Sequence, residues 1–114
     1  MNGPALGHWP DQPPRAHQLR AVILSLLDHT PLVLLDHAEE QMFERGIDLE
    51  DVIKVLRRGE IVGAITHGLG PNEWKCKVTC QPQYPENKRF VGVVTIVAAA
   101  AELLIKTVEW EDEA

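Results

Sequence analysis

Two thiols, Cys76 and Cys80, stand in a C-x3-C spacing, and five histidines are scattered along the chain. Paired thiolates can share a metal or close a disulfide. The stretch EWKCKVTC around them alternates apolar and polar residues, which is the period of a β-strand. On a strand the rise of ~3.3 Å per residue puts the two Cα atoms roughly 13 Å apart. A disulfide needs about 7 Å or less. The spacing therefore predicts two packed free thiols, with no metal site and no bridge. Among the imidazoles, His8 and His17 lie in or near a proline-rich start, His29 at a helix end, and His67 where a strand meets a turn. No two are spaced as H-x3-H, a helical zinc-ligand arrangement. The single serine, Ser25, falls inside a helical pattern rather than in a nucleophile elbow. HGLGPN lacks the lysine and hydroxyl of a phosphate-binding loop. His37 differs by position, because it opens a helix, where backbone N–H groups are unpaired and anions are welcome.

The elements that must hold these residues follow from periodicity. Residues 1–13 are rich in proline, which blocks helix and ladder alike, and are expected to form a flexible arm. Between Pro14 and Asp28, Leu19, Val22, Ile23, Leu26 and Leu27 make one apolar helical stripe. PLVLL, bounded by turn residues, predicts a short buried strand. Asp36, with Glu39 three residues on, is expected to cap a second helix whose first residue is His37. Gly46 suits the left-handed residue that closes it. Asp48 caps a third helix, with Ile47 and Val52 spaced as a hydrophobic staple and Val52, Ile53 and Leu56 as its buried stripe. Gly59 closes that helix. EIVGAITH, EWKCKVTC, RFVGVVTIV and LLIKTVEW then read as strands joined by short links, hence an antiparallel meander. In EWKCKVTC, Trp74, Cys76, Val78 and Cys80 share one face, while Lys75, Lys77 and Thr79 share the other. RFVGVVTIV is apolar on both faces, as a central strand is. QPQYPEN is a loop, and AAAAE is a weak turn where a bulge is expected. The fold class is α+β: N-terminal helices packed on a mainly antiparallel sheet of about four to five strands. Residues 14–110 are expected to form one domain, followed by an acidic tail at 111–114.

A chain of 114 residues can bury one core without staples. No apolar run is long enough to span a membrane, and the start lacks the basic and apolar regions of a secretory signal. Two cysteines suit a reducing compartment, so a cytoplasmic location is expected. The net charge of −6 argues against bulk attraction to nucleic acid. That charge is uneven, however. Residues 36–60 carry eight acids and four bases, whereas residues 74–108 carry Lys75, Lys77, Lys88, Arg89 and Lys106 against Glu86 and Glu102.

HAEEQMFERGIDLEDVIKVLRRGEIV resembles the opening of a bacterial domain-of-unknown-function family (the DUF4258 type) with the pattern H-A-x-x-R-x-x-x-R-G-I-x-x-x-x-V-x-x-V-L-x-x-G-x-I. His37, Ala38, Arg45, Gly46, Ile47, Val52, Val55, Leu56, Gly59 and Ile61 match it, and Gln41 stands where the pattern has its first arginine. EWKCKV, FVGVVTIV and LLIKTVEW resemble the family's later strands more loosely, so the likeness spans roughly residues 31–110. That family is similar to RelE-like bacterial toxins, including the MqsR type. The resemblance implies a RelE-like fold, an mRNA endoribonuclease activity without metal or small-molecule cofactor, an antitoxin protein as partner and mRNA as substrate. RNA cleavage by its own 2′-hydroxyl needs a base, a cation for the phosphorane charge and an acid for the leaving oxygen. The resemblance carries His37, Arg45 and Thr107 onto that site. Lys75 and Lys106 join them, and Lys77, Lys88 and Arg89 are assigned to RNA binding, because these bases make the second half positive. The alternative is a non-catalytic protein- or RNA-binding domain of the same fold, favoured by Gln41 and by the acidic balance.

Overall fold

The computed structural model describes residues 13–68, 70, 72–81, 89–98 and 101–111. The expected arm, apart from Pro13, the QPQYPEN loop after Gln81, and the tail beyond Glu111 lie outside the described residues. Helix α1 spans Ala16–His29 and buries Leu19, Val22, Ile23 and Leu26 of the predicted stripe, while Leu27 is half-buried. Strand β1, Leu32–Leu34, follows the proline that ends this helix, but it lies at the sheet edge with Val33 exposed and its neighbours half-buried, not buried as expected. Helices α2, Asp36–Arg45, and α3, Leu49–Arg58, come next. Four strands complete the chain: β2 Glu60–His67, β3 Glu73–Cys80, β4 Val91–Ala98 and β5 Glu102–Trp110.

The sheet order is β1-β5-β4-β3-β2. The last four strands form the antiparallel meander, and β1 adds a parallel edge beside β5. The connection from β1 to β5 runs through α2, α3 and the three strands β2, β3 and β4, long enough to make a parallel pairing reachable. The register Trp74↔Val97, Cys76↔Thr95, Val78↔Val93 and Val93↔Val108 aligns one apolar face across three strands. The helices lie on that face, and the core joins it to Leu19, Ile23, Ala38, Ile47, Val52 and Leu56. Lys75, Lys77 and Thr79 alternate to the opposite face, which none of the described helices covers. β4 is buried on both sides, as its sequence predicts for the middle of a sheet.

Two expectations about the helices need correction. Asp36 does not cap α2; it is the first helical residue, and the N-cap is Leu35, with no side-chain cap. The Leu35 N–H instead donates to the Ile105 carbonyl at 3.0 Å, continuing the β1–β5 ladder. Strand pairing therefore sets where the helix starts, and His37 becomes its second residue. In α3 the buried stripe is Val52, Val55 and Leu56, while Ile53 is half-buried and lines an open apolar groove with Leu27, Leu32, Leu34 and Leu49. A bulge also falls within β5, where Val94 faces Thr107, Thr95 faces Ile105, and Lys106 is left over. Of the turn where a bulge was expected, residues 99 and 100 lie outside the described residues. Ala101 at the turn takes a left-handed φ of 63°.

The other caps follow the sequence. Gly46 has φ 67° and closes α2. Asp48 and Asp51 exchange backbone N–H bonds at 2.8 and 3.3 Å at the start of α3. Gly59 is required for a different reason than helix closure, since its φ is an ordinary −80°. A Cβ there would lie 2.5 Å from the Val55 carbonyl oxygen and 2.7 Å from that of Thr79, so glycine lets α3 meet β3. The Arg20 side chain locks the same corner by donating to the carbonyls of Gly59 and Arg57 at 3.1 and 3.0 Å.

Candidate functional site

β1 pairs with β5 only along Leu103–Ile105, so among the described residues the edge of β5 beyond the bulge has no strand partner on that side. α2 fills the vacancy. Its inward residues Ala38, Gln41 and Arg45 recur every three or four positions and therefore form one stripe. Gln41, 9 % exposed, acts as a surrogate strand, because its Oε1 accepts the Val108 N–H at 2.9 Å. One turn on, the Arg45 carbonyl accepts the Trp110 indole N–H at 3.1 Å.

This anchoring decides the state of His37. A backbone N–H can only donate, so the Gln41 carbonyl oxygen must face Val108 and its amide NH₂ must face the other way. That NH₂ meets His37 Nε2 at 3.0 Å. Nε2 is then an acceptor, and the ring hydrogen sits on Nδ1. His37 is exposed, yet its basic nitrogen is occupied by a neighbour that the fold holds in place.

The residues singled out from the sequence separate into groups. His37 and Arg45 share the α2 stripe that runs along β5, and Lys106 and Thr107 lie on β5 where that stripe begins. Lys75 and Lys77 are on the far face of the sheet, across from the helices. Lys77 is paired there with Glu111 at 2.8 Å and Glu109 at 3.3 Å. The Glu111 carboxylate, and then Glu109, hold its ammonium pKa above the ordinary 10.5. Gly92 makes this pairing possible: a Cβ there would lie 2.5 Å from Glu111 Oε1 and 2.7 Å from Lys77 Cε. Arg89 stacks its guanidinium over the Trp110 ring at 4.2 Å. Arg45 Nη1 is buried with no hydrogen-bond partner among the described residues. Lys88 lies outside them. Cys76 and Cys80 are both free, the first buried and the second half-buried. The Cys80 Sγ points to the Lys54 carbonyl at 3.9 Å.

The sequence reading missed Gln41 as an anchor, treating it only as an absent arginine. It also missed Trp110, Glu109 and Glu111. The alternation of two acids at the end of β5 was the available signal, but it needed the register to find Lys77.

Among the described residues, three helices on one face of a five-stranded mixed sheet, with α2 docked on the open edge of β5, define an α+β domain. Residues 34–110, about two-thirds of the chain, match the family described as Domain of unknown function (DUF4258), and the chain belongs to that family. No curated protein and no solved structure matches it. No helix among the described residues is long and apolar enough to cross a membrane.

Proposed function

We propose that this chain is a non-catalytic binding module that recognises another protein. The observation that carries this reading is the His37–Gln41–Val108 chain of hydrogen bonds. A general base needs a free lone pair within reach of the proton it removes. Here the Nε2 lone pair is spent on an amide whose other end is fixed to β5. A toxin-type endoribonuclease also needs a cation beside its base to meet the same phosphate. Lys75 and Lys77 are on the opposite side of the sheet and Lys77 is paired with two carboxylates, which leaves only Arg45, with one guanidinium nitrogen buried, and Lys106 on the side of His37 among the candidate cations. The net charge of −6 weakens attraction to RNA further.

The RelE/MqsR-type ribonuclease with an antitoxin partner is the rival reading. Purified protein incubated with a long messenger-like RNA separates the two, alongside growth on induced expression. The binding module leaves the RNA intact and growth normal. Cleavage that His37→Ala abolishes, at unchanged melting temperature, would sink the proposal.

A further inference from the structure

The outward face of α2 carries a side chain that the fold does not use. Phe43 is 90 % exposed, far more than any other large hydrophobic among the described residues. It stands on the side of the helix opposite the stripe of Ala38, Gln41 and Arg45. On a helix its neighbours are Glu39 and Glu40 one turn back, with Glu44 beside it and Asp36 two turns back. All four acids are exposed, and none forms an ion pair with a described residue. Asp36 and Glu39 lie in the first turn, where the helix dipole favours an acid. Glu40 and Glu44 have no such support; they are a like-charged pair one turn apart, which weakens the helix. Phenylalanine is also a poorer helix former than alanine, and in water it recovers nothing by burial.

We propose that this face of α2 docks a segment of another protein that presents an apolar patch between lysines or arginines; the proposal rests on the binding-module reading above. The patch covers Phe43, and the cations meet Glu39, Glu40 and Glu44. A large aromatic buried at the centre of a charged rim is where binding energy concentrates in protein interfaces. Charge selects the occupant. A second copy carries the same net −6 and sets acid against acid at this face, and RNA phosphates are repelled by it. A basic apolar segment gains on both counts.

The test uses the full chain and a defined probe, a labelled synthetic amphipathic helix with leucine on one face and lysine on its flanks. Fluorescence anisotropy should show binding that weakens as salt is raised. Phe43→Ala should weaken it about tenfold or more, and Glu40→Lys with Glu44→Lys should abolish it. Val62→Ser, at an exposed position on the edge strand β2, should leave it unchanged. Phe43→Ala should melt at or above the wild-type temperature, so lost binding is not lost folding. No binding by wild type, or equal binding by wild type and Phe43→Ala, overturns the proposal even if the charge variants bind less. A wild-type dimer in sedimentation that Phe43→Ala converts to monomer also overturns it, because the occupant is then a second copy. Probe binding independent of Phe43 removes only this surface, whereas His37-dependent RNA cleavage removes the binding-module reading itself.

Discussion

Gln41→Leu tests the hydrogen-bond chain at its centre. Leucine keeps the approximate volume of the side chain and its burial, and removes only the amide. The Val108 N–H then loses the acceptor it has at 2.9 Å, on an edge that α2 shields from water. An unsatisfied buried donor costs about 1–3 kcal/mol. Leucine regains part of that through its apolar surface, which leaves a loss of about 1–2 kcal/mol. For a domain near this size each kcal/mol moves the melting point by roughly 4 °C, so a drop of about 4–8 °C is expected. His37→Ala should cost under about 0.5 kcal/mol, since the ring is exposed and the freed amide hydrogen turns to water. Gln41→Arg, the residue that the sequence resemblance leads one to expect there, should lose at least as much as Gln41→Leu, because guanidinium has no acceptor for Val108. Thermal melts of the three variants, with amide exchange at Val108 as a local probe, make the measurement. Gln41→Leu melting with wild type, with Val108 exchange unaccelerated, would refute the claim that Gln41 stands in for a strand.

Four further outcomes follow from the same geometry. Gly59→Ala should lower the urea midpoint by an amount equal to about 1–3 kcal/mol or more, because the added Cβ meets backbone oxygens of both α3 and β3, which cannot swing aside. Glu111→Gln should cost about 1 kcal/mol or less and lower the Lys77 pKa, since Glu111 is the chief cause of its rise; NMR titration of the Lys77 side chain reads this. Burial pushes the Cys76 thiol up from 9.0 to about 12. Below pH 9 the thiol is protonated in both states and its contribution is constant. Between 9 and 12 only the unfolded chain loses the proton, so stability falls with pH, by a total on the order of 4 kcal/mol. Cys76→Ala should flatten that fall in urea melts across pH 9–12. A thiol reagent should label Cys80 well before Cys76 in the folded protein.

The apolar stripe of α1, the capping box of Asp48 and Asp51, the left-handed Gly46 and the alternation of β3 were legible because each is decided within one or two turns of chain. Local sterics and hydrogen bonds there leave one good solution, and burial then selects the apolar side. The meander was legible for a similar reason, since short links force neighbouring strands to pair antiparallel. The start of α2 was not, because its N-cap is set by a bond from Leu35 to Ile105, seventy positions away in sequence. The candidate site divides the same way. Position at a helix mouth made His37 conspicuous, and alternation put Lys75 and Lys77 on one face of a strand. Which face of the sheet the helices cover depends on the register of β3, β4 and β5, and that register separates those lysines from His37. Gln41 looked like a lost cation in the sequence. In the structure it is an acceptor, because β1 is three residues long and stops before Val108, leaving a buried backbone N–H that only a partner from another element can satisfy.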